Sequence, residues 1–374
     1  MEIILLLLLG GGLIALAGGS SSDVEPDDDD PTTGTNGDDT VVLGDTGDVF
    51  DGLGGNDSID GGRGFDDLFG SSGNDQIEGG LGKDEIFGGA GNDSLSGGSW
   101  DGTIFGGSGN DDIFGGNSND TLEGGNGQDF IEGGNGFDRL RGGDDADLLN
   151  GGSGGDRVAG QDGNDILLGG DTSDPSGNLV DFLFGGDGND LLLGQEGSDS
   201  LDGGAGDDIL IGSNVAALSP EALALQRGEI TEAQLTQPII VFEEENGPDM
   251  ESDTLFGGAG SDLIVLGGYD VATGGGTDAD TYIVGIDWIP DDPEGAAKIS
   301  NFNLDADTIL LGYDEDDGPP VISYGQAGTS SINVFADGKL VLEVTRFTGI
   351  GLGLSANEVD ARVEVLPINP ADGQ

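Results

Sequence analysis

Apolar side chains recur at every ninth position through the middle of the chain. Ile59, Leu68, Ile77, Ile86, Leu95, Ile104, Ile113, Leu122, Ile131, Leu140, Leu149, Val158 and Leu167 are thirteen such positions in succession. A period of nine fits neither an amphipathic helix, whose stripe returns at three and four, nor a long strand, which alternates by two. It fits a repeat architecture with one minimal strand per unit, the central side chain facing one way and its neighbours the other. Such a unit cannot fold alone. Burying one Leu or Ile contributes roughly 1.5–3 kcal/mol, whereas ordering nine residues costs on the order of 10 kcal/mol or more. Stacking joins the single side chains into a continuous thin core.

Glycine fills much of the space between the apolar positions. Residues 52–168 divide without a gap into thirteen nonapeptides, with Gly at position 1 in all of them, from Gly52, Gly61 and Gly70 to Gly160. Gly at positions 1, usually 2 and usually 4 is expected to supply positive φ and sharp turns. Further units begin at Gly34, at Gly44 (one residue short), at Gly185 to Ile211 (three in a row), at Gly257 and at Gly275, and stretched units close on Asp181 and Asp253.

Two insertions interrupt the pattern. Residues 171–180 read as a surface loop. Residues 213–252 hold a helix signal, with Ser219 as N-cap, Pro220 at N1 and Gly228 as the stop. A second short helix over 231–237 and a strand at Ile239–Phe242 follow. This insertion is either a loop tolerated on a solenoid edge or a recognition module. After Val284 the glycine period gives way to ordinary strand alternation, with a hairpin turn at Ala336-Asp337-Gly338-Lys339. A solenoid needs a different end to cover its last apolar layer, so residues 285–374 are expected to form a β-rich cap. At the other end, residues 1–22 read as an apolar export or anchoring segment and 23–33 as an acidic linker, ahead of a repeat region over 34–284.

Charge adds the chemistry. The chain of 374 residues carries 55 Asp and 19 Glu against 3 Lys and 7 Arg, a formal charge of −64, with 78 Gly. Such a composition would ordinarily mean an expanded, disordered chain, and it excludes a nucleic-acid binder, which needs a basic footprint. His and Cys are both absent. That removes Ser-His-Asp and Cys-His nucleophiles, His-ligated zinc and disulfides. Hard cations bound by oxygen, above all Ca²⁺, remain as partners. Position 6 is Asp in twelve of the thirteen central units. Its short carboxylate, two residues past the last turn glycine, can join loop carbonyls in an all-oxygen site. The candidate ligands are Asp39, Asp57, Asp66, Asp75, Asp84, Asp93, Asp111, Asp120, Asp129, Asp138, Asp147, Asp156, Asp165, Asp181, Asp190, Asp199, Asp208, Asp253, Asp262 and Asp280.

The units GGRGFDDLF, GGLGKDEIF, GGAGNDSLS, GGSGNDDIF and GGNGQDFIE resemble the RTX (repeats-in-toxin, haemolysin-type) calcium-binding nonapeptide, over about two thirds of the chain. The resemblance implies an all-β fold: a parallel β-roll with two nonapeptides per coil and rows of calcium ions between successive loops, closed by a C-terminal β-cap. It also implies export by type I secretion machinery with a signal in the C-terminal region. One unit departs from the pattern: GGSWDGTIF has Trp100 in place of the position 4 Gly and Gly102 in place of the Asp, so a defective or altered site is expected there. Ser118 and Asp145 also replace position 4 Gly, but Asp120 and Asp147 are kept.

Other motifs carry little. Gly151-Gly152-Ser153-Gly154-Gly155 satisfies a nucleophile-elbow pattern, but the chain has no His to serve it. Asp314 to Gly318 hints at an EF-hand, yet its twelfth position is Gly325. Phe69, Phe87 and Phe105 at position 9 stand 18 residues apart, on one face of successive coils. They either reinforce the roll by stacking or form an apolar adhesive stripe.

The expectation is therefore a secreted, calcium-binding β-roll protein of structural or adhesive type, without catalytic activity, whose partners beyond calcium are a cell surface, a polysaccharide or itself. About 20 bound Ca²⁺ would offset much of the self-repulsion and fold the chain outside the cell. The alternative is an RTX-associated extracellular hydrolase.

Overall fold

The computed structural model describes residues 14–15, 32–170, 179–212, 216–218, 240–242, 252–285, 289–290, 293–303, 306–314, 319–326, 331–346 and 362–368. The chain forms two compact units, Met1–Val158 and Ala159–Gln374. Among the described residues there is no α-helix, and strands stack in parallel in both units.

In the first unit successive strands alternate between two sheets, each pairing with the strand 18 residues away. Leu68 stands beside Ile86 and Ile86 beside Ile104 in one sheet; Ile77 stands beside Leu95 and Leu95 beside Ile113 in the other. Two nonapeptides thus make one coil. All thirteen period-nine apolar residues are buried. The strands are longer than a minimal triplet: Asp67–Ser72 and Glu85–Ala90 run on through positions 1 to 3 of the following unit. Burial alternates along them, so positions 8 and 1 both face inward and the core is one apolar row beside one glycine row.

This changes the reading of the glycines. Positive φ occurs at positions 2 and 4, as at Gly89 (109°) and Gly91 (133°), but at none of the first unit's position 1 glycines. Position 1 is glycine because of space: a Cβ on Gly106 would strike Asp111 Oδ2 and lie 2.6 Å from the Gly124 carbonyl oxygen.

The second unit stacks in the same way, and its insertion leaves the register untouched. Ser200–Ala205 pairs with Thr254–Ala259, and Ile209–Ile211 with Leu263–Leu266, across the residues between them. Of the insertion, Ala216–Leu218 and Ile240–Phe242 form an antiparallel ribbon, and its first strand lies near Leu191–Gln195. The second strand matches the expected Ile239–Phe242, whereas both expected helices and residues 171–178 lie outside the described residues. On this side the outward positions 7 and 9 are apolar and covered: Leu191, Leu193, Ile211 and Val265 are buried and packed by Ile166, Leu168, Ile209 and Ile283.

Parallel pairing continues past Val284, with Ala297–Phe302 on Val271–Gly275 and Thr308–Asp314 on Thr281–Gly285. It ends on an antiparallel sheet of Ile322–Gln326, Ser331–Ala336 and Lys339–Arg346, turned at Asp337 and Gly338 as expected and burying Ile332, Val334, Leu342 and Val344. Near the start of the chain, Ile14–Ala15 pairs in parallel with Thr40 and Val41; the rest of residues 1–22 lies outside the described residues. No helix among the described residues is long and apolar enough to cross a membrane.

A few turn positions hold a side chain where glycine is usual, and exposed Gln161 at position 2 has φ 88°. Left-handed backbone costs a non-glycine residue more than the entropy that glycine loses. Gln161→Gly should therefore raise stability in calcium by about 0.5–1 kcal/mol, read from denaturant midpoints; a loss of stability would refute this assignment of strain.

Candidate functional site

Each turn, at positions 4 to 6, delivers the position 6 carboxylate back beneath the chain. All twenty candidate aspartates, Asp39 through Asp280, are buried. In the first unit they form two ladders. Along one edge the main-chain N–H of Asp39, Asp57, Asp75, Asp93, Asp111 and Asp129 donates to Oδ1 of the Asp 18 residues ahead, ending on Asp147, at 2.7–2.8 Å. Along the other, Asp48 leads to Asp66 and Asp84, and Asp120 to Asp138 and Asp156. The second unit repeats this from Asp165 through Asp190, Asp208 and Asp262 to Asp280, and from Asp181 through Asp199 to Asp253.

One oxygen of each carboxylate is thereby used, and the other decides the chemistry. Oδ2 of Asp57, Asp66, Asp75, Asp84, Asp93, Asp111, Asp120, Asp129, Asp138, Asp190, Asp208 and Asp262 is buried with no hydrogen-bond partner. It lies beside a carbonyl: a Cβ placed on Gly52 would meet both Asp57 Oδ2 and, at 3.1 Å, the carbonyl oxygen of Gly70. The inward space that the glycine leaves open is lined by oxygen. An ionised carboxylate buried this way costs on the order of several kcal/mol unless a proton or cation joins it. Burial accordingly pushes Asp111, Asp120, Asp129, Asp138 and Asp262 up to about 7, and neighbouring carboxylates add to the shift, whereas the backbone N–H bond opposes it. Asp57, Asp66, Asp190 and Asp208 rise to about 6 for the same reasons. The donor set contains carboxylate and carbonyl oxygen only, and it fits a hard divalent cation such as Ca²⁺. Among the described residues no group of three or more carboxylates converges as a metal site. Backbone carbonyls and water are the oxygens that can complete a coordination shell here.

The ends of the ladders are satisfied differently. Asp39 Oδ2 accepts the Thr35 N–H and Asp48 Oδ2 the Gly44 N–H. Asp270 and Asp307, which sequence reasoning missed, are also buried and continue the ladders by accepting the N–H of Asp253 and Asp280. Their Oδ2 atoms take the N–H of Gly267 and Asn303 at 2.7 Å. Turn N–H groups supply there the partner that Oδ2 of Asp57 or Asp111 lacks.

The aberrant unit differs in geometry from its neighbours. Gly102 still donates its N–H to Asp120 Oδ1 at 2.6 Å, but it returns no carboxylate toward Asp84, and the Asp101 side chain instead accepts the Asn119 N–H. A Cβ on Gly102 would meet nothing closer than 3.4 Å. Gly102→Asp should thus complete the ladder, adding bound calcium and lowering the calcium midpoint for folding; titration calorimetry showing an unchanged ion count would contradict this.

Phe69, Phe87 and Phe105 stack face to face, with ring centroids 4.8 and 5.1 Å apart, and are half-buried. Their faces are spent largely on one another.

Comparison with protein families agrees with the repeat register. The family model for the RTX calcium-binding nonapeptide repeat matches in overlapping copies over residues 33–174, 176–214 and 251–270. Among curated proteins no relative matches. Among solved structures, a hyperactive, Ca²⁺-dependent, β-helical antifreeze protein from an Antarctic bacterium is 19% identical, with a TM-score of 0.40 over 73% of this chain and 81% of that one. The extracellular lipase LipA from Serratia marcescens is 18% identical, with a TM-score of 0.18 over 68% of this chain and 40% of the lipase.

Proposed function

Because this chain belongs to the RTX calcium-binding nonapeptide-repeat family, we propose that it is a secreted structural or adhesive protein whose fold is completed by calcium outside the cell. The supporting observation is the regular row of buried aspartate Oδ2 atoms without partners. In this reading the interior position 6 aspartates hold the ions together with glycine carbonyls of adjacent coils. Calcium supplies the positive charge that lets carboxylates stack 18 residues apart in a dry interior.

The rest of the proposal follows from linkage. Binding to the folded form alone makes stability depend on free calcium, and extracellular modules bind at Kd ~10⁻⁴ to 10⁻³ M. At cytosolic calcium the chain would stay open, in the state that type I secretion machinery threads, and it would close after export. A role in catalysis is not part of the proposal: the chain contains neither His nor Cys, and the buried position 6 aspartates are the residues assigned to the ladders.

Limited proteolysis of the full chain tests this. Rapid cleavage throughout at micromolar calcium and resistance at millimolar calcium are expected. Equal resistance in both would overturn the export argument.

A further inference from the structure

The two turn edges of the first unit are chemically unlike. On the edge built by repeats from Gly52, Gly70, Gly88, Gly106 and Gly124, position 5 is Asn56, Asn74, Asn92, Asn110 and Gln128. There the side-chain oxygens of the four asparagines accept main-chain N–H groups of the next coil. On the opposite edge the same column reads Phe65, Lys83, Asp101, Asn119 and Phe137, with Trp100 next to Asp101. Phe65, Trp100 and Phe137 are 73%, 61% and 60% exposed, the highest values among the described large apolar side chains of the first unit.

Phe65 and Phe137 hold position 5 of their repeats, and Trp100 stands one residue earlier, at position 4. They stand on every second coil, and successive coils lie 4.8–5.1 Å apart where the stacked rings report it. The aromatic positions therefore repeat at about 10 Å along the edge. This is the length of the disaccharide repeat in an extended β-1,4-linked glycan, whose sugar rings present flat C–H faces to aromatic side chains.

A second observation points the same way. Trp100 belongs to the one central repeat that lacks both its position 4 Gly and its position 6 Asp. That repeat gives up a ladder carboxylate and displays an indole. Between and beside the aromatics, Lys83 and Arg63, the latter within 3.9 Å of Asp45, offer exposed donors suited to hydroxyl oxygens, in a chain with only 10 basic residues.

We propose that this edge binds an uncharged β-1,4-linked polysaccharide, with Phe65, Trp100 and Phe137 as stacking platforms for alternate sugar residues. Anionic partners, acidic lipid surfaces included, are opposed by a formal charge of −64. A globular partner held by apolar burial would favour a continuous patch, whereas these platforms are islands separated by Lys83 and Asn119. A rigid periodic ligand meets islands at a fixed interval.

The proposal rests on the calcium-folded, extracellular reading above, and its test separates the two. Full-length protein in millimolar calcium is sedimented with microcrystalline cellulose and with chitin, and circular dichroism is recorded on the same samples. Binding to at least one polysaccharide is expected. The triple variant Phe65→Ser/Trp100→Ser/Phe137→Ser should bind about tenfold more weakly or worse, with an unchanged calcium midpoint for folding. Phe65→Ser/Lys83→Phe keeps three exposed aromatics but breaks the two-coil interval, and should also be weakened. Folded wild-type protein that binds neither solid, or either variant binding as well as wild type, would overturn the proposal. Failure of calcium to induce strand structure would instead overturn the reading beneath it.

Discussion

Asp111→Asn should cost the protein bound calcium while sparing its hydrogen-bond ladder. The amide oxygen of Asn can still accept the Asp93 N–H that Asp111 Oδ1 takes at 2.8 Å. It has no charge to replace the partnerless, buried Oδ2. At least one ion should be lost by calorimetry, and the calcium-dependent part of stability should fall by about 2 kcal/mol, as for loss of a charge-assisted contact. Asp307→Asn provides the contrast. Both its carboxylate oxygens accept main-chain N–H groups, from Asp280 and Asn303. An amide nitrogen cannot accept the second, so the variant should lose stability at every calcium concentration without losing an ion. Equal calcium counts for wild type and Asp111→Asn would remove the interior aspartates from the ligand set.

Acid should substitute for calcium. Without a bound cation, burial pushes Asp111, Asp120, Asp129 and Asp138 up to about 7 from the ordinary 3.8, because it disfavours the charged form. A raised folded-state value means that the fold binds protons more tightly than the open chain. Its stabilising contribution is complete below 3.8 and is lost as pH rises through about 6–7. Chelated protein should therefore gain strand structure on acidification from about pH 7.5 to about pH 5. With calcium present the same protons compete for Oδ2, so the calcium midpoint should rise over that interval. A midpoint independent of pH would show that proton and ion do not share a site.

The period of nine made the inward apolar row and the buried carboxylates legible, because both depend on residue type at a fixed register. Each predicted aspartate is buried. The function of the position 1 glycine was misread, since a sequence shows that a side chain is missing but not whether torsion or space demands it. Asp270 and Asp307 escaped notice because irregular loops set their ladder partners 17 and 27 residues away. The covered apolar face at Leu193 and Ile211 was equally hidden: a fully buried strand and a one-sided strand differ little over three residues.

Circular dichroism of the full chain, titrated at neutral pH from excess chelator to millimolar Ca²⁺, shows whether calcium folds the protein. The rows of buried carboxylates predict little strand signal in chelator and a cooperative rise to a β spectrum as calcium is added. A complete β spectrum in chelator, unmoved by calcium, would contradict the account.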